Sequence, residues 1–196
     1  MPPNNFFDKV QHLVVEQELT TLLFINPTIE KMPLPIRRFD DPFLPFGKAV
    51  INATGDLVCG YMFNFVDYLA LGAAGAVALE RTIAYAGNNH LTILHGAFSH
   101  INYIRFLDVT AFNADAITII PEITKNTSSV SQQVITVDGQ LSGIYNTETK
   151  RIDVGLDHTT NVQINVAGDD VLYAGFGEDF SEVLRNRVGE FNARHH

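Results

Sequence analysis

Between residues 21 and 121 the chain repeatedly pairs a short, continuous apolar run with a longer segment of helical periodicity. Runs of this length, without alternating polar positions, are typical of strands buried on both faces of a parallel sheet. Four such strands are predicted, at Thr21–Ile25, Leu57–Met62, Leu91–Leu94 and Ala116–Ile120. The predicted helices are Phe6–Glu18, Phe46–Thr54, Val66–Ala86 and Ile101–Phe112. This alternation restricts the first part of the chain to right-handed βαβ units of an α/β fold.

The pattern changes after Pro121. Residues 123–133 are polar and predict a loop. Shorter β-like pieces follow, and an amphipathic helix at Phe180–Phe191 closes the chain. The β-like pieces are Val134–Val137, Gly143–Tyr145, Ile152–Gly155, Val162–Val166 and Val171–Ala174, with a hairpin signal at Asp138-Gly139. We therefore divide the chain into a βα part, residues 1–122, and a β-richer part, residues 123–196, packed together in one domain.

Composition narrows the classes of function. A net charge of -9 over 196 residues argues against nucleic-acid binding, which needs an excess of Lys and Arg. Cys59 is the single cysteine, so no intramolecular disulfide forms. The chain opens without a signal-peptide pattern, and its longest apolar stretch, Tyr68–Leu79, falls short of the roughly 20 residues that span a bilayer. We expect a cytoplasmic protein without membrane contact, metal or cofactor.

Segments of the first 122 residues also match a known family in their order and spacing. They are Phe6–Val10, Leu22–Pro33, Phe46–Thr54, Tyr61–Asn64, Ala70–Gly75, Thr82–Tyr85 and Asn113–Pro121. Together they resemble the orotidine 5'-monophosphate decarboxylases. The resemblance implies a TIM (β/α)8 barrel with its site at the carboxyl ends of the strands. It also implies decarboxylation without a cofactor, by a preorganised array of Lys and Asp side chains.

This chain departs from the family at each position of that charged array. The family carries an Asp at the end of strand one, a Lys at the end of strand two and Asp-x-Lys-x-x-Asp at strand three. In register, these positions fall on Asn26, Met62, His95, Ala97 and His100. Losing one preorganised polar group typically costs 10²–10³ in rate. The resemblance therefore implies a scaffold without decarboxylase activity.

The resemblance thins beyond residue 122. Asp170–Gly177 resembles the family's strand eight, and Gly175 and Gly177 precede a helix whose N–H groups are candidates for binding a phosphate. Glu178-Asp179 at the same place would repel it. About 48 residues separate Pro121 from Asp170, too few for three further βα units. The barrel is therefore either truncated or remodelled with antiparallel strands in its C-terminal third.

Two main functions follow. The first is a catalytically inactive relative with a binding or structural role, forming a homo-oligomer because an incomplete barrel leaves sheet edges to cover. The second is an enzyme of changed chemistry that acts on a nucleotide or another small phosphorylated ligand. In it, His95 and His100 serve as general acid and base, and Asn26 binds the ligand. The alternative for both histidines is a structural role, in which they fill space and form hydrogen bonds at positions where the family carries Asp. Decarboxylation through a rearranged site is a third, weaker hypothesis.

Overall fold

The computed structural model describes residues 5–98, 112–120, 132–137, 140–156 and 160–195, and within these ranges eight strands form one closed barrel. In chain order the strands are β1 Thr21–Ile25, β2 Gly60–Asn64, β3 Leu91–Phe98, β4 Ala116–Ile119, β5 Gln132–Val137, β6 Gln140–Asn146, β7 Arg151–Gly155 and β8 Asn161–Ala167. Strands β1 to β4 pair in parallel, and β8 pairs in parallel with β1. From β4 to β8 every pairing is antiparallel. Of the two alternatives predicted for the C-terminal third, truncation or remodelling by antiparallel strands, the structure shows the second.

Helices surround only part of this barrel. They are α1 Phe6–Val10, continued by a π-helical segment Gln11–Glu16, then α2 Leu34–Arg37, α3 Phe43–Thr54, α4 Phe65–Tyr68, α5 Gly72–Ala86, α6 Asp169–Leu172 and α7 Phe180–His195. Helix α3 packs against both α5 and α7 on the outside of the parallel strands. The helix predicted at Ile101–Phe112 and the loop predicted at 123–133 lie almost wholly outside the described residues.

The parallel strands are buried on both faces, which explains their continuous apolar sequences. Alternate side chains of β1 show the division: Leu22 lies in the barrel interior, whereas Leu23 packs outward under the helices. Strand β7 instead alternates buried and exposed residues, with Ile152 and Val154 inside. A strand whose outer face meets solvent needs apolar residues at every second position only. The two halves of the barrel therefore follow two sequence patterns.

Two strand predictions need correction. Val171–Ala174 was expected to form a strand, and Asp170–Gly177 to be a remnant of strand eight, but α6 occupies Asp169–Leu172. The neighbour of β1 is Asn161–Ala167, whose Val166 pairs with Leu22. Strand β2 begins at Gly60 rather than at Leu57. A Cβ added to Gly60 would lie 2.2 Å from the Leu91 carbonyl oxygen, so glycine is required where β2 and β3 approach.

The N-terminal helical segment closes the amino end of the barrel. Phe6 and Val10 enter the interior core. Beside them, Lys9 Nζ donates to both carboxylate oxygens of Asp115, at 2.9 and 2.8 Å, and to the His90 carbonyl at 2.9 Å. The two side chains are 5% and 15% exposed. This ion pair ties the segment to the base of β3 and β4.

One segment has membrane-like composition. Phe65–Asn89 is long and apolar enough to cross a membrane by length and composition alone. The structure divides it into α4, a 3₁₀ turn and α5, with Gly72 at a φ of 58° where α5 begins. Leu79 and Ile83 on α5 are buried in the outer core. We interpret the segment as ordinary barrel helix.

A candidate binding site at the carboxyl mouth

A row of uncharged polar residues crosses the carboxyl ends of the first four strands. Asn64 on β2 pairs in register with His95 on β3. His95 Nδ1 and Thr118 Oγ1 on β4 share a hydrogen bond of 3.0 Å. Asn26 follows β1 immediately after the Ile25–Phe63 pair, which places it level with Asn64. We call Asn26, Asn64, His95 and Thr118 the polar row.

His95 is held inside the mouth by aromatic rings. The Phe24 ring meets it edge to face with centroids 5.2 Å apart, and the Tyr145 ring does so at 5.9 Å. Burial lowers the pKa of His95 from 6.5 to about 4. The imidazole is therefore neutral at pH 7, and each ring nitrogen is either a donor or an acceptor. Among the described residues Nε2 has no hydrogen-bond partner.

Beneath the polar row the interior is apolar. Met62, which stands where the family resemblance places a lysine, is fully buried and packs in the interior core with Ile93. Phe24 belongs to the same core but keeps part of its surface in contact with solvent. Among the described residues, the floor beneath the polar row is thus apolar.

Charged side chains lie at the edge of this opening. The Asp169 carboxylate accepts from Asn26 Nδ2 at 2.6 Å and from Lys31 Nζ at 2.7 Å. Asp67 accepts from Asn64 Nδ2 at 2.6 Å. We call Lys31, Asp67 and Asp169 the charged rim. It joins residues from the loop after β1, the start of α4 and the start of α6.

The rim carboxylates differ in their surroundings. Burial would raise the pKa of Asp169, but the hydrogen bonds from Lys31 and Asn26 outweigh it and lower that pKa below 3.8. Burial and the neighbouring Asp169 charge raise the pKa of Asp67. The hydrogen bond and the charge of Asp169 raise the pKa of Lys31. The Lys31 ammonium group is therefore paired with the Asp169 carboxylate.

Tyr173 fixes the loop that carries Asn26. Its hydroxyl donates to the Asn26 carbonyl at 2.7 Å and accepts from the Thr28 N–H at 2.9 Å. The ring stacks on Phe46 with centroids 5.7 Å apart, and Lys31 Nζ lies 5.6 Å from its centroid. A rigid aromatic support of this kind preorganises the polar atoms above it.

The other predicted site residues are distributed unevenly. His100 lies outside the described residues, and so does the side chain of Ala97. Gly175 packs against α7, and a Cβ added to Gly177 would lie 2.7 Å from the Asp179 carboxylate. A carboxylate already stands where a phosphate would approach. Phosphate binding at the two glycines stays a prediction, with unfavourable electrostatics.

Sequence reasoning missed Lys31 and Asp169 of the charged rim, and the partners of His95. Lys31 and Asp169 are 138 residues apart in the chain and meet only because β8 closes the barrel on β1. Thr118 and Tyr145 were assigned to strands without a site role. The inward phase of their strands was the available signal, since it puts them on the His95 side of the sheet.

A second concavity is less suitable for a ligand. A cleft of about 640 Å³ lies at the amino end of the barrel, lined by Lys9, Thr92 and Asp115 among others. All three Lys9 donors and both Asp115 oxygens are already hydrogen-bonded, and Thr92 donates to Asp115 as well. In barrels of this type that end serves stability. Among the described residues, no group of three or more His, Cys, Asp or Glu is placed to hold a metal ion.

The fold defines the class first: a remodelled α/β barrel related to the TIM barrels. A solved Toxoplasma gondii protein named as an orotidine-monophosphate-decarboxylase aligns with a TM-score of 0.52 and 24% identity, over 61% of this chain and 41% of that one. A Streptomyces avermitilis orotidine 5'-phosphate decarboxylase structure gives 0.51 and 20%, over 62% and 46%. These likenesses establish the shared fold.

Sequence comparison then finds relatives over part of the chain. The chain is 31% identical over 109 residues to the orotidine 5'-phosphate decarboxylase of Flavobacterium johnsoniae, covering 52% of this chain and 40% of that protein. It is 35% identical over 79 residues to that of Herpetosiphon aurantiacus, covering 40% and 30%. No protein-family model matches. These matches show that part of the chain is similar to the orotidine 5'-phosphate decarboxylases, and they span well under half the length of these curated relatives.

Proposed function

We propose that this chain is a non-decarboxylating relative of the orotidine 5'-phosphate decarboxylases that serves as a binding or structural protein. The observation that carries the proposal is the fully buried Met62 at the position of the family's strand-two lysine. Asn26 and His95 similarly put uncharged groups where the family resemblance implies carboxylates. At the rim, Asp169 forms an ion pair with Lys31. A reaction that depends on buried Lys and Asp has no equivalent groups among these residues.

Direct turnover tests the proposal. Orotidine monophosphate is incubated with the purified chain, and loss of its ultraviolet absorbance is followed beside the Flavobacterium johnsoniae relative as a positive control. The expected result is a rate equal to that of buffer alone. Turnover above the buffer rate would refute the proposal and revive the rearranged-site hypothesis.

The second candidate is an enzyme of changed chemistry acting through His95 and His100. Its support is His95 Nε2, for which the described part of the chain provides no hydrogen-bond partner. Against it, a pKa of about 4 makes His95 a weak base at neutral pH. A rise in melting temperature with uridine monophosphate, lost in His95→Ala, would favour this candidate and its phosphorylated ligand. Without such a rise, the binding or structural role is favoured.

Homo-oligomer formation and a cytoplasmic location also stay proposals. The closed barrel removes the open sheet edges that first suggested an oligomer. The support that remains is apolar surface around α4 and α5, where Val66, Leu69 and Val77 are 61%, 39% and 43% exposed. Sedimentation at micromolar concentration decides the point, since a monomer would contradict the proposal.

A further inference from the structure

We propose that His90 is a pH-sensitive clamp between two helices of the barrel. Its imidazole, protonated on both nitrogens, holds the C-terminal ends of α3 and α5 together, and one of its two hydrogen bonds is lost when the ring becomes neutral. His90 directly precedes β3, at the amino end of the barrel. The inference therefore goes beyond the proposed function, which concerns the carboxyl mouth at the opposite end.

Both ring nitrogens of His90 face backbone carbonyl groups. Nδ1 lies 3.0 Å from the Ala86 oxygen, and Nε2 lies 2.9 Å from the Gly55 oxygen. A carbonyl oxygen only accepts hydrogen bonds, whereas a neutral imidazole has a single N–H to donate. A neutral ring would point one bare nitrogen at an oxygen, and a ring turned over would place carbon atoms at both positions. Only the imidazolium donates both hydrogen bonds.

The two carbonyl groups belong to helix C-termini, where positive charge is favoured. Ala86 is the last residue of α5, and Gly55 is the C-cap of α3. The last carbonyl groups of a helix have no partner within the helix and carry the negative end of its dipole. The Tyr61 ring lies 5.3 Å from the His90 ring between centroids, within the range of cation–π attraction. Burial raises the pKa of the Tyr61 hydroxyl, which therefore stays neutral.

The charged side chains on the elements around His90 form ion pairs with one another. Lys9 donates to the His90 carbonyl, but its ammonium group also donates to both carboxylate oxygens of Asp115. Asp56, just after α3, pairs with Arg185 of α7. Each pair contains one charge of each sign. The helix ends, rather than a neighbouring ionised side chain, therefore favour the imidazolium.

His12 provides a comparison within the same chain. Its Nδ1 lies 2.9 Å from Glu16 Oε2, and its Nε2 lies 3.0 Å from Gln17 Nε2. The Gln17 amide nitrogen only donates, so His12 Nε2 accepts, and a neutral ring satisfies both contacts. Among the described histidines, only His90 has both nitrogens facing acceptors. The two histidines should therefore differ in protonation at the same pH.

Nitrogen-15 NMR of the full chain measures the protonation of each ring directly. At about pH 7.5, His90 is expected to carry a proton on both nitrogens, whereas His12 carries one. The His90 signals are assigned through the backbone and disappear in His90→Gln. A bare ring nitrogen on His90 under these conditions would overturn the proposal.

The pH dependence of stability gives a second readout. The two carbonyl groups are in place only in the folded chain, so the contribution of the clamp is present at low pH and is lost as pH rises. Between about pH 6 and about pH 8.5, the equilibrium constant for unfolding should rise about tenfold more in the wild type than in His90→Gln. The carboxylates and the other histidines titrate in both proteins and cancel. His12→Gln is the matched control and should behave as the wild type.

An equal pH dependence of unfolding in the wild type and His90→Gln would overturn the clamp. If circular dichroism shows His90→Gln unfolded, NMR of the wild type decides alone, because the backbone assignment does not need the variant. Orotidine monophosphate turnover, which tests the proposed function, has no bearing on either measurement. The two proposals therefore fail independently.

Discussion

The neutral, buried imidazole of His95 should make the stability of this barrel depend on pH in a defined window. In the unfolded chain a histidine binds a proton with a pKa of about 6.5. In the folded chain burial lowers the pKa of His95 to about 4. Between these two values the unfolded state binds more protons, so stability rises with pH and is lost as pH falls. The window therefore runs from about pH 6.5 down to about pH 4.

The magnitude follows from the separation of the two pKa values. As the pH falls through this window, protonation of His95 in the unfolded state lowers the free energy of unfolding by about 3 kcal/mol in total. Most of that, about 2 kcal/mol, falls between pH 7 and pH 5. Replacing His95 with Gln removes the titrating group but keeps a polar side chain that can hydrogen-bond Thr118. The variant should therefore lose about 2 kcal/mol less than the wild type between these two pH values.

Urea unfolding at pH 7 and pH 5 measures the difference. The chain has no tryptophan and six tyrosines, so far-ultraviolet circular dichroism and tyrosine fluorescence report the transition. Carboxylates titrate in both proteins and cancel in the comparison. His12→Gln is the matched control, because the His12 side chain is 44% exposed on the surface. If His95→Gln and the wild type lost equal stability, the assignment of His95 as a buried neutral group would be wrong.

Three further perturbations probe the packing. Gly60→Ala should destabilise the barrel by several kcal/mol, because its Cβ would clash with the Leu91 backbone oxygen. Gly189→Ala, whose Cβ would meet no atom within 4 Å, should stabilise α7 by about 0.5–1 kcal/mol. Equal thermal stability of the two variants would contradict this. Lys9→Met should cost about 3–5 kcal/mol in urea unfolding by leaving the Asp115 carboxylate buried and unpaired, and adding Asp115→Asn should recover part of the loss; no recovery would argue against the pair. Met62→Lys should lower the melting temperature severely and Met62→Leu only slightly, since the described side chains of the interior core offer a charge no partner. A stable, folded Met62→Lys would show that the barrel interior accommodates a lysine at this position.

The parallel part of the fold could be predicted because its strands are buried on both faces and so leave continuous apolar runs. The Asp138-Gly139 hairpin signal was also sufficient, since Val137 pairs with Gln140 across it. Val171–Ala174 was misread because a four-residue apolar run suits a buried helix and a buried strand equally. Tertiary structure decides between helix and strand here, because β8 occupies the position beside β1 in the sheet.

The candidate site divides in the same way. His95 could be predicted because it ends an apolar run, and the ends of parallel strands meet at one edge of a sheet. Asp169 could not be predicted, because Asn26 and Lys31 lie 143 and 138 residues before it in the chain. These contacts depend on closure of the barrel. A sequence pattern reports which face a residue occupies within its own element. It does not report which distant element lies opposite.

The antiparallel half of the barrel and the uncharged polar row at the mouth are physically connected. In a (β/α)8 barrel every strand delivers its carboxyl end, and a loop, to the same face. Here β5 and β7 run in the opposite direction, so their carboxyl ends lie at the amino face. Between β6 and β7 the mouth receives only the turn 147–150. Fewer loops are then available at the mouth to bind a highly charged ligand or to exclude water from buried ions. An unpaired buried charge would destabilise the fold without contributing to catalysis. A neutral polar row over an apolar floor is the arrangement that such a barrel can hold at the lowest free-energy cost.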